Sequence, residues 1–155
     1  MEKFNLAYLA GVMDCDGSFS GSHGRDPRSK HGIRSRFVFQ LTWKQSPSSI
    51  LFIEQLKKQY GGSIFVGIHN TNIGRTSIVK YGLESNIKLK NLIDDVLPYL
   101  RLKQQQALVV LDVIEYRVAN NCQGRPRTFL EIGNELTAVM EIHNLNGSKS
   151  HQKSH

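Results

Sequence analysis

Cysteine is scarce in this chain: Cys15 and Cys122 are the only two, they stand far apart, and no CxxC pair occurs. That excludes a disulfide framework or a zinc finger and suits a reducing interior. Histidine is no better arranged for a metal. Residues 23, 31, 69, 143, 151 and 155 form no recognisable ligand pair, and the last two lie in a Ser/Lys/His-rich tail expected to be disordered. No apolar run reaches the roughly 18 residues of a membrane span. Met1 to Asn5 carry no secretory signal. The 155 residues fit one domain, expected over 1–145 with a tail at 146–155. A chain of this length buries roughly 70% of the surface it would expose unfolded, so its core needs no covalent or metal staple.

Acidic residues are also in deficit. The net charge is +7 and the sequence pI about 9.6, which favours a polyanionic partner. The excess is concentrated. Arg25, Arg28, Lys30, Arg34 and Arg36 face the single acid Asp26, giving that stretch +4 of the total. A solvated basic loop is the plain alternative. Its position beside a strand with polar alternation favours nucleic acid.

That alternation runs from Arg34 to Lys44. Phe37, Phe39, Leu41 and Trp43 fall on one face, and Arg34, Arg36, Val38, Gln40 and Thr42 on the other. Before it, NLAYLAGVM (5–13) reads as a short apolar helix ended by the Asp/Gly cluster at 14–17, with a strand at 18–25. Ser46-Pro47 reads as an N-cap and first helical residue. The helix they open carries Ile50, Ile53, Leu56 and Tyr60 on one stripe and stops at Gly61-Gly62. A hairpin follows at 63–69 and 75–82, joined by residues 70–74. Helices are then expected over 85–97, from Lys103 with Leu108, Leu111, Ile114 and Val118 inward, and from the capping box Thr128–Glu131 with Leu136, Val139 and Met140 inward. The order α-ββ-α-ββ-α-α-α predicts an α+β fold on an antiparallel sheet, with the two ββα units a candidate quasi-repeat.

The chemistry lies at the end of the first helix. Ala7 and Gly11 share one of its faces, and small residues there allow another backbone to approach closely. Asp14 and Asp16 follow at the negative end of the helix dipole, which favours a cation. Two such helices packed together would bring two acidic tips side by side. An EF-hand fragment fails, because position twelve from Asp14 is Arg25 and not Glu. A plain polar turn after a buried helix remains open on these residues alone.

YLAGVMDCDGS (8–18) resembles the motif of LAGLIDADG homing endonucleases. LPYLRLKQQQA (97–107) resembles the segment that carries the active-site lysine in single-motif members. Phe39–Thr42 and Thr128–Asn144 match a strand and a late helix, in order, so the resemblance spans about 6–145. It implies the family's fold, a saddle-like antiparallel sheet, and a homodimer packed through Ala7, Ala10 and Gly11. It further implies Mg²⁺-dependent double-strand cleavage of a long, pseudo-palindromic DNA site, with Mn²⁺ or Ca²⁺ able to occupy the same site.

The resemblance makes Asp16 a metal ligand together with the backbone carbonyl of Cys15, and places Lys103 near the scissile phosphate. Asp14 ends the helix and supports the site, a direct metal role being its alternative. Trp43 stands where some relatives have a water-ordering glutamine, and Ser49 lies near the place of an arginine; Lys44 or Gln45 could take over that work.

A nine-residue strand follows about nine base pairs at ~3.3 Å per residue, so two subunits would read roughly 18–22. Arg34, Arg36, Gln40 and Thr42 are the leading DNA contacts, because arginine suits guanine and glutamine suits adenine. Ser20, Ser22, Arg25, Lys30, His69, Asn72, Arg75 and Lys80 are secondary candidates, each equally readable as plain surface. An RNA maturase acting on a group I intron, a non-cleaving DNA-binding protein and a bare dimerisation module are the rival functions. The family's intron-encoded origin implies an intracellular setting: chloroplast or mitochondrion in a eukaryote, cytoplasm in an archaeon or bacterium.

Overall fold

The computed structural model of the chain describes residues 3–147. Its elements are α1 (Leu6–Asp16), β1 (Gly17–Arg25), β2 (Ile33–Lys44), α2 (Pro47–Tyr60), β3 (Ser63–Thr71), β4 (Gly74–Leu83), α3 (Asn86–Val96), α4 (Gln104–Ala119) and α5 (Phe129–Leu145). A single 3₁₀ turn, Cys122–Gly124, precedes α5. This is the expected α+β order.

The four strands form one antiparallel sheet in the order β1-β2-β4-β3. Two hairpins therefore meet through their inner strands, and each is followed by a helix, as a quasi-repeat requires. The second hairpin is tighter than its turn-rich sequence suggests. β3 and β4 pair out to Thr71↔Gly74, so Asn72-Ile73 alone makes the turn where 70–74 was expected. Gly74, at φ 140°, supplies backbone that other residues rarely adopt.

One face of the sheet is covered by helices. Phe19, Phe37, Phe39, Leu41, Val79, Tyr81 and Leu83 reach into a core shared with Leu9 and Met13 of α1, Ile53 and Leu56 of α2, and Leu89 to Val96 of α3. Each fully buried large apolar side chain there contributes roughly 1.5–3 kcal/mol.

Two inward faces differ from the periodic reading. On α4, Leu108 and Val118 are exposed, and Ala107, Val110, Leu111, Ile114 and Arg117 turn inward. On α5, Met140 is exposed and Leu136 only half-buried, while Ile132, Glu135, Ala138, Val139 and Ile142 are buried. The reason is a buried charge network. Arg117 donates to Glu135 at 2.7 Å, to Asn86 at 3.3 Å and to the Ser35 carbonyl at 3.0 Å, and its guanidinium stacks on Phe37. Paired charges can occupy a core stripe that a hydrophobic count assigns to apolar residues.

Both expected N-caps hold. Ser46 and Thr128 each form a capping box, with Ser49 and Glu131 respectively. Ser49 is thereby committed to capping the start of α2. The tail at 146–155, including His151 and His155, falls beyond the described residues from 148 onward.

Candidate active site and nucleic-acid surface

The helix α1 is apolar on more than one side up to Met13, yet only one side is buried within the chain. Leu9, Ala10, Met13 and Asp14 are buried in the core, whereas Ala7, Tyr8, Gly11 and Cys15 are exposed. This corrects the assignment of Ala10 to a dimer surface: it is 0% exposed and packs inward. Ala7 and Gly11 do lie on the open face, and a Cβ added at Gly11 would meet nothing within 4 Å.

The helix continues past the expected break and ends at Asp16, with the Gly17 N–H donating to the Met13 carbonyl. Gly17 is required by close approach. A Cβ there would lie 2.6 Å from the Phe39 ring and 2.8 Å from the Met13 carbonyl oxygen. This contact turns the chain directly from α1 into β1 and fixes the carboxylates at the corner.

The two aspartates then have different work. Asp14 is buried and accepts the backbone N–H groups of Arg101 at 2.8 Å, Leu102 at 3.1 Å and Lys103 at 3.0 Å. Both of its oxygens accept backbone bonds, so it orders the segment before α4. Asp16 is exposed, and its Oδ2 accepts the indole N–H of Trp43 at 3.0 Å. Its Oδ1 accepts no bond from any described residue.

Lys103 donates from Nζ to the Asp14 carbonyl at 2.6 Å. It is the N-cap residue of α4, where a positive charge is mildly unfavourable. The side chain resolves the conflict by reaching instead to the negative end of α1. Sequence distance hides this pairing; the fold brings Lys103 within two residues of Asp16.

Among the described residues, no three of His, Cys, Asp and Glu cluster to cage a metal. The donors at the α1 tip are hard oxygens: the Asp16 carboxylate and main-chain carbonyls left without partners inside the helix. Such donors suit Mg²⁺, Mn²⁺ or Ca²⁺ over thiolate-seeking ions. Their small number fits a cation that is also held by phosphate oxygens.

The open face of the sheet starts beside this corner. Register places Ser18, Ser20, Ser22 and Gly24 of β1 with Gln40, Val38, Arg36 and Arg34 of β2. It places Thr42 of β2 beside Lys80 of β4, and Lys80 beside Phe65 of β3; Thr76 pairs with His69. Directly paired residues point the same way. This surface therefore carries Arg34, Arg36, Gln40, Thr42, Ser20, Ser22, His69 and Lys80 as expected, with Lys44, Thr76 and Phe65 added.

Arg25 and Arg75 stand apart from this row. They pair with Ile33 and Asn70, on the alternation of the core face, although both are exposed at strand ends. Asn72 lies in the hairpin turn, and Lys30 in the exposed loop after β1. The strands contain Arg25, Arg34, Arg36, Lys44, Arg75 and Lys80 and not one carboxylate. Every acid among the described residues sits in a helix or a connection, so the charged side chains of the sheet are all positive.

Arg36 touches Glu84 at 3.7 Å and Arg34 touches Asp26 at 4.0 Å. Ion pairs this exposed are worth roughly 0–1 kcal/mol, so either arginine can leave its partner for a phosphate or a base. Asp26 is held below the usual carboxylate range chiefly by the backbone N–H of Arg28. Lys44 and Gln45 are exposed near the site; the Gln45 backbone N–H donates to Ser77, and neither side chain contacts Asp16. The polar partner of Asp16 is Trp43 itself, which sequence reading marked only as a departure from a pattern.

Comparison with known proteins agrees with this geometry. The family described as LAGLIDADG endonuclease matches residues 9–117. The DNA endonuclease I-CreI of Chlamydomonas reinhardtii is 32% identical over 151 residues, covering 96% of this chain and 84% of its own. The homing endonuclease I-CvuI, solved with its target in the presence of calcium, has a TM-score of 0.69 at 21% identity, over 93% of this chain and 83% of that one. The archaeal intron-encoded homing endonuclease I-Vdi141I, complexed with DNA, has a TM-score of 0.71 at 19% identity, over 94% and 86%. This chain belongs to the LAGLIDADG endonuclease family.

Proposed function

We propose that two copies of this chain form a site-specific DNA endonuclease that hydrolyses both strands of a long, nearly palindromic duplex with Mg²⁺. The observation that carries this reading is that the last turn of α1 ends in the exposed Asp16 and, two residues earlier, offers the Asp14 carbonyl that anchors the Lys103 ammonium, next to a sheet whose strands carry no carboxylate. An exposed carboxylate and an anchored ammonium on one helix end are the groups that cleavage needs and that binding alone does not.

Each group has a role that its position supports. Arg34, Arg36, Lys44 and Lys80 hold the phosphate backbone or base edges along the sheet, and Gln40 and Thr42 face the groove floor. Asp16 Oδ1 and the Cys15 carbonyl would hold the divalent cation against a phosphate. When bound there, the cation supplies an activated water at neutral pH and offsets charge on the reacting phosphate. Lys103 adds a fixed positive charge beside the reacting group, anchored by the Asp14 carbonyl and by the backbone bonds around it. A water oxygen–phosphorus bond forms and one ester oxygen–phosphorus bond breaks, with no covalent enzyme intermediate.

One chain supplies one such corner, and a duplex has two strands. The open apolar face of α1, with Ala7, Tyr8 and Gly11, supports pairing through a two-fold axis that brings two corners together. Incubation with a randomised double-stranded DNA library, with Mg²⁺ and with EDTA, tests the reading. Double-strand cuts at a recovered palindrome with Mg²⁺ alone are expected. Binding without cutting under both conditions would contradict it.

A further inference from the structure

The indole N–H of Trp43 donates to Asp16 Oδ2 at 3.0 Å, and its ring is packed edge-on against Phe52, 5.0 Å between centroids with 61° between planes. Phe52 is itself wedged against Phe4 at 4.7 Å and Tyr8 at 6.3 Å. The rotamer that aims the N–H at Asp16 is thus locked from behind by an aromatic stack that bridges α1 and α2. One carboxylate oxygen is occupied and the other takes no partner among the described residues. A carboxylate held in this way turns Oδ2 to the indole and leaves Oδ1 facing away, open to a cation.

We propose that Trp43 is a positioning residue of the active site: its N–H fixes the rotation of the Asp16 carboxylate so that Oδ1 alone is presented to the divalent cation. This rests on the endonuclease reading above. Indole offers one donor and no acceptor, so Trp43 cannot order water as an amide can; it acts on Asp16 directly. The Phe52 stack makes α1 and β2 move together, so the carboxylate keeps its place when the open face of α1 is loaded by a partner.

Two substitutions separate positioning from packing. Trp43→Phe retains an aromatic ring against Phe52 and loses the N–H. Trp43→Gln loses the ring and restores an N–H donor. If Trp43 positions Asp16, Trp43→Phe raises the Mg²⁺ concentration for half-maximal cleavage of a library-selected duplex by about 10–100-fold, the usual cost of losing a partner of a metal-binding group. Trp43→Gln recovers most of that loss while melting at a lower temperature than Trp43→Phe. A packing role demands the reverse ranking.

A second readout needs no cleavage. Trp43 is the only tryptophan, so the protein has one indole N–H resonance. It should exchange slowly with solvent in the parent, exchange faster in Asp16→Ala, and shift when Mg²⁺ is titrated. A Mg²⁺ dependence unchanged in Trp43→Phe, or an indole resonance indifferent to Asp16→Ala, overturns the proposal. Asp16→Asn, assayed alongside, distinguishes the two levels. If it cuts like the parent, the endonuclease reading of Asp16 is wrong; if it is inert while Trp43→Phe is normal, only the positioning role falls.

Discussion

Asp14 and Lys103, 89 positions apart, hold each other twice: the Asp14 carboxylate accepts the Lys103 backbone N–H at 3.0 Å, and the Lys103 ammonium donates to the Asp14 carbonyl at 2.6 Å. The first bond fixes where α4 begins, and the second fixes where its leading charge points. Asp14→Asn exchanges one acceptor oxygen for a donor facing backbone N–H groups. The expected loss is about 1–3 kcal/mol, the cost of leaving a buried polar group unpaired. Cleavage should fall with it, because the backbone segment that carries Lys103 is held less firmly. Thermal melting and single-turnover cleavage check both.

Lys103→Ala leaves the fold and the basic sheet intact but removes the charge beside the reacting phosphate. Cleavage should fall on the order of 10²-fold or more, in line with the removal of one charge-stabilising donor elsewhere. Duplex binding should change little. A gel-shift titration paired with a cleavage time course separates the two effects.

Ala10 and Gly11 are adjacent, yet one is buried and the other exposed, and they should respond differently. Ala10→Leu overpacks the core and is expected to cost about 1–3 kcal/mol without altering association. Gly11→Gln meets open space within the chain, so the monomer should fold normally. It should nevertheless separate the copies, because its side chain occupies the face they share. Sedimentation equilibrium and thermal melting, run on both variants, give the crossed pattern.

Arg36 should contribute to sequence recognition, whereas Lys80 should act on phosphates. Arg36→Ala is expected to relax one symmetric base position at a cost of about 1–3 kcal/mol per site. Lys80→Ala should weaken binding evenly across sequences and reduce its salt dependence by about one phosphate per subunit. Binding to a single-mismatch panel at several salt concentrations distinguishes them.

Glu131 is pulled well below its usual pKa of 4.5, first by the two-bond contact with Arg125 and then by the Thr128 backbone N–H. A carboxylate whose folded pKa is lowered contributes stability above its unfolded pKa, and loses that contribution as pH falls toward the folded value. Glu131→Gln should therefore lower the melting temperature at pH 7, and the gap to the parent should narrow progressively below about pH 4.5. Melting scans from pH 7 to pH 3 follow it.

The legible parts of the chain are those written in local spacing. The alternation from Phe37 to Trp43, the caps at Ser46 and Thr128, and the small-residue helix over 6–13 each state their structure within a dozen residues, although that helix runs on to Asp16. Ala10 was misplaced because a helix apolar on more than one side has no contrast to say which face goes inward. Leu108, Val118 and Met140 were misplaced because Arg117 and Glu135, which look like surface residues, neutralise each other inside. Arg75 depended on the register of strands whose turn is two residues long, and Arg25 stands at the very end of β1, before the longer connection at 26–32. The bond from Trp43 to Asp16 spans 27 positions, and nothing in either residue's neighbourhood announces it.

Crystals of the protein on a library-selected duplex, soaked with Mn²⁺ and measured at its anomalous edge, examine the heart of this account. The expected result is a peak on the order of 2.1 Å from Asp16 Oδ1 and from a phosphate oxygen of the duplex, at each of two corners related by the α1 axis. A peak bound elsewhere, or Asp16 lying apart from both cation and phosphate, would contradict it.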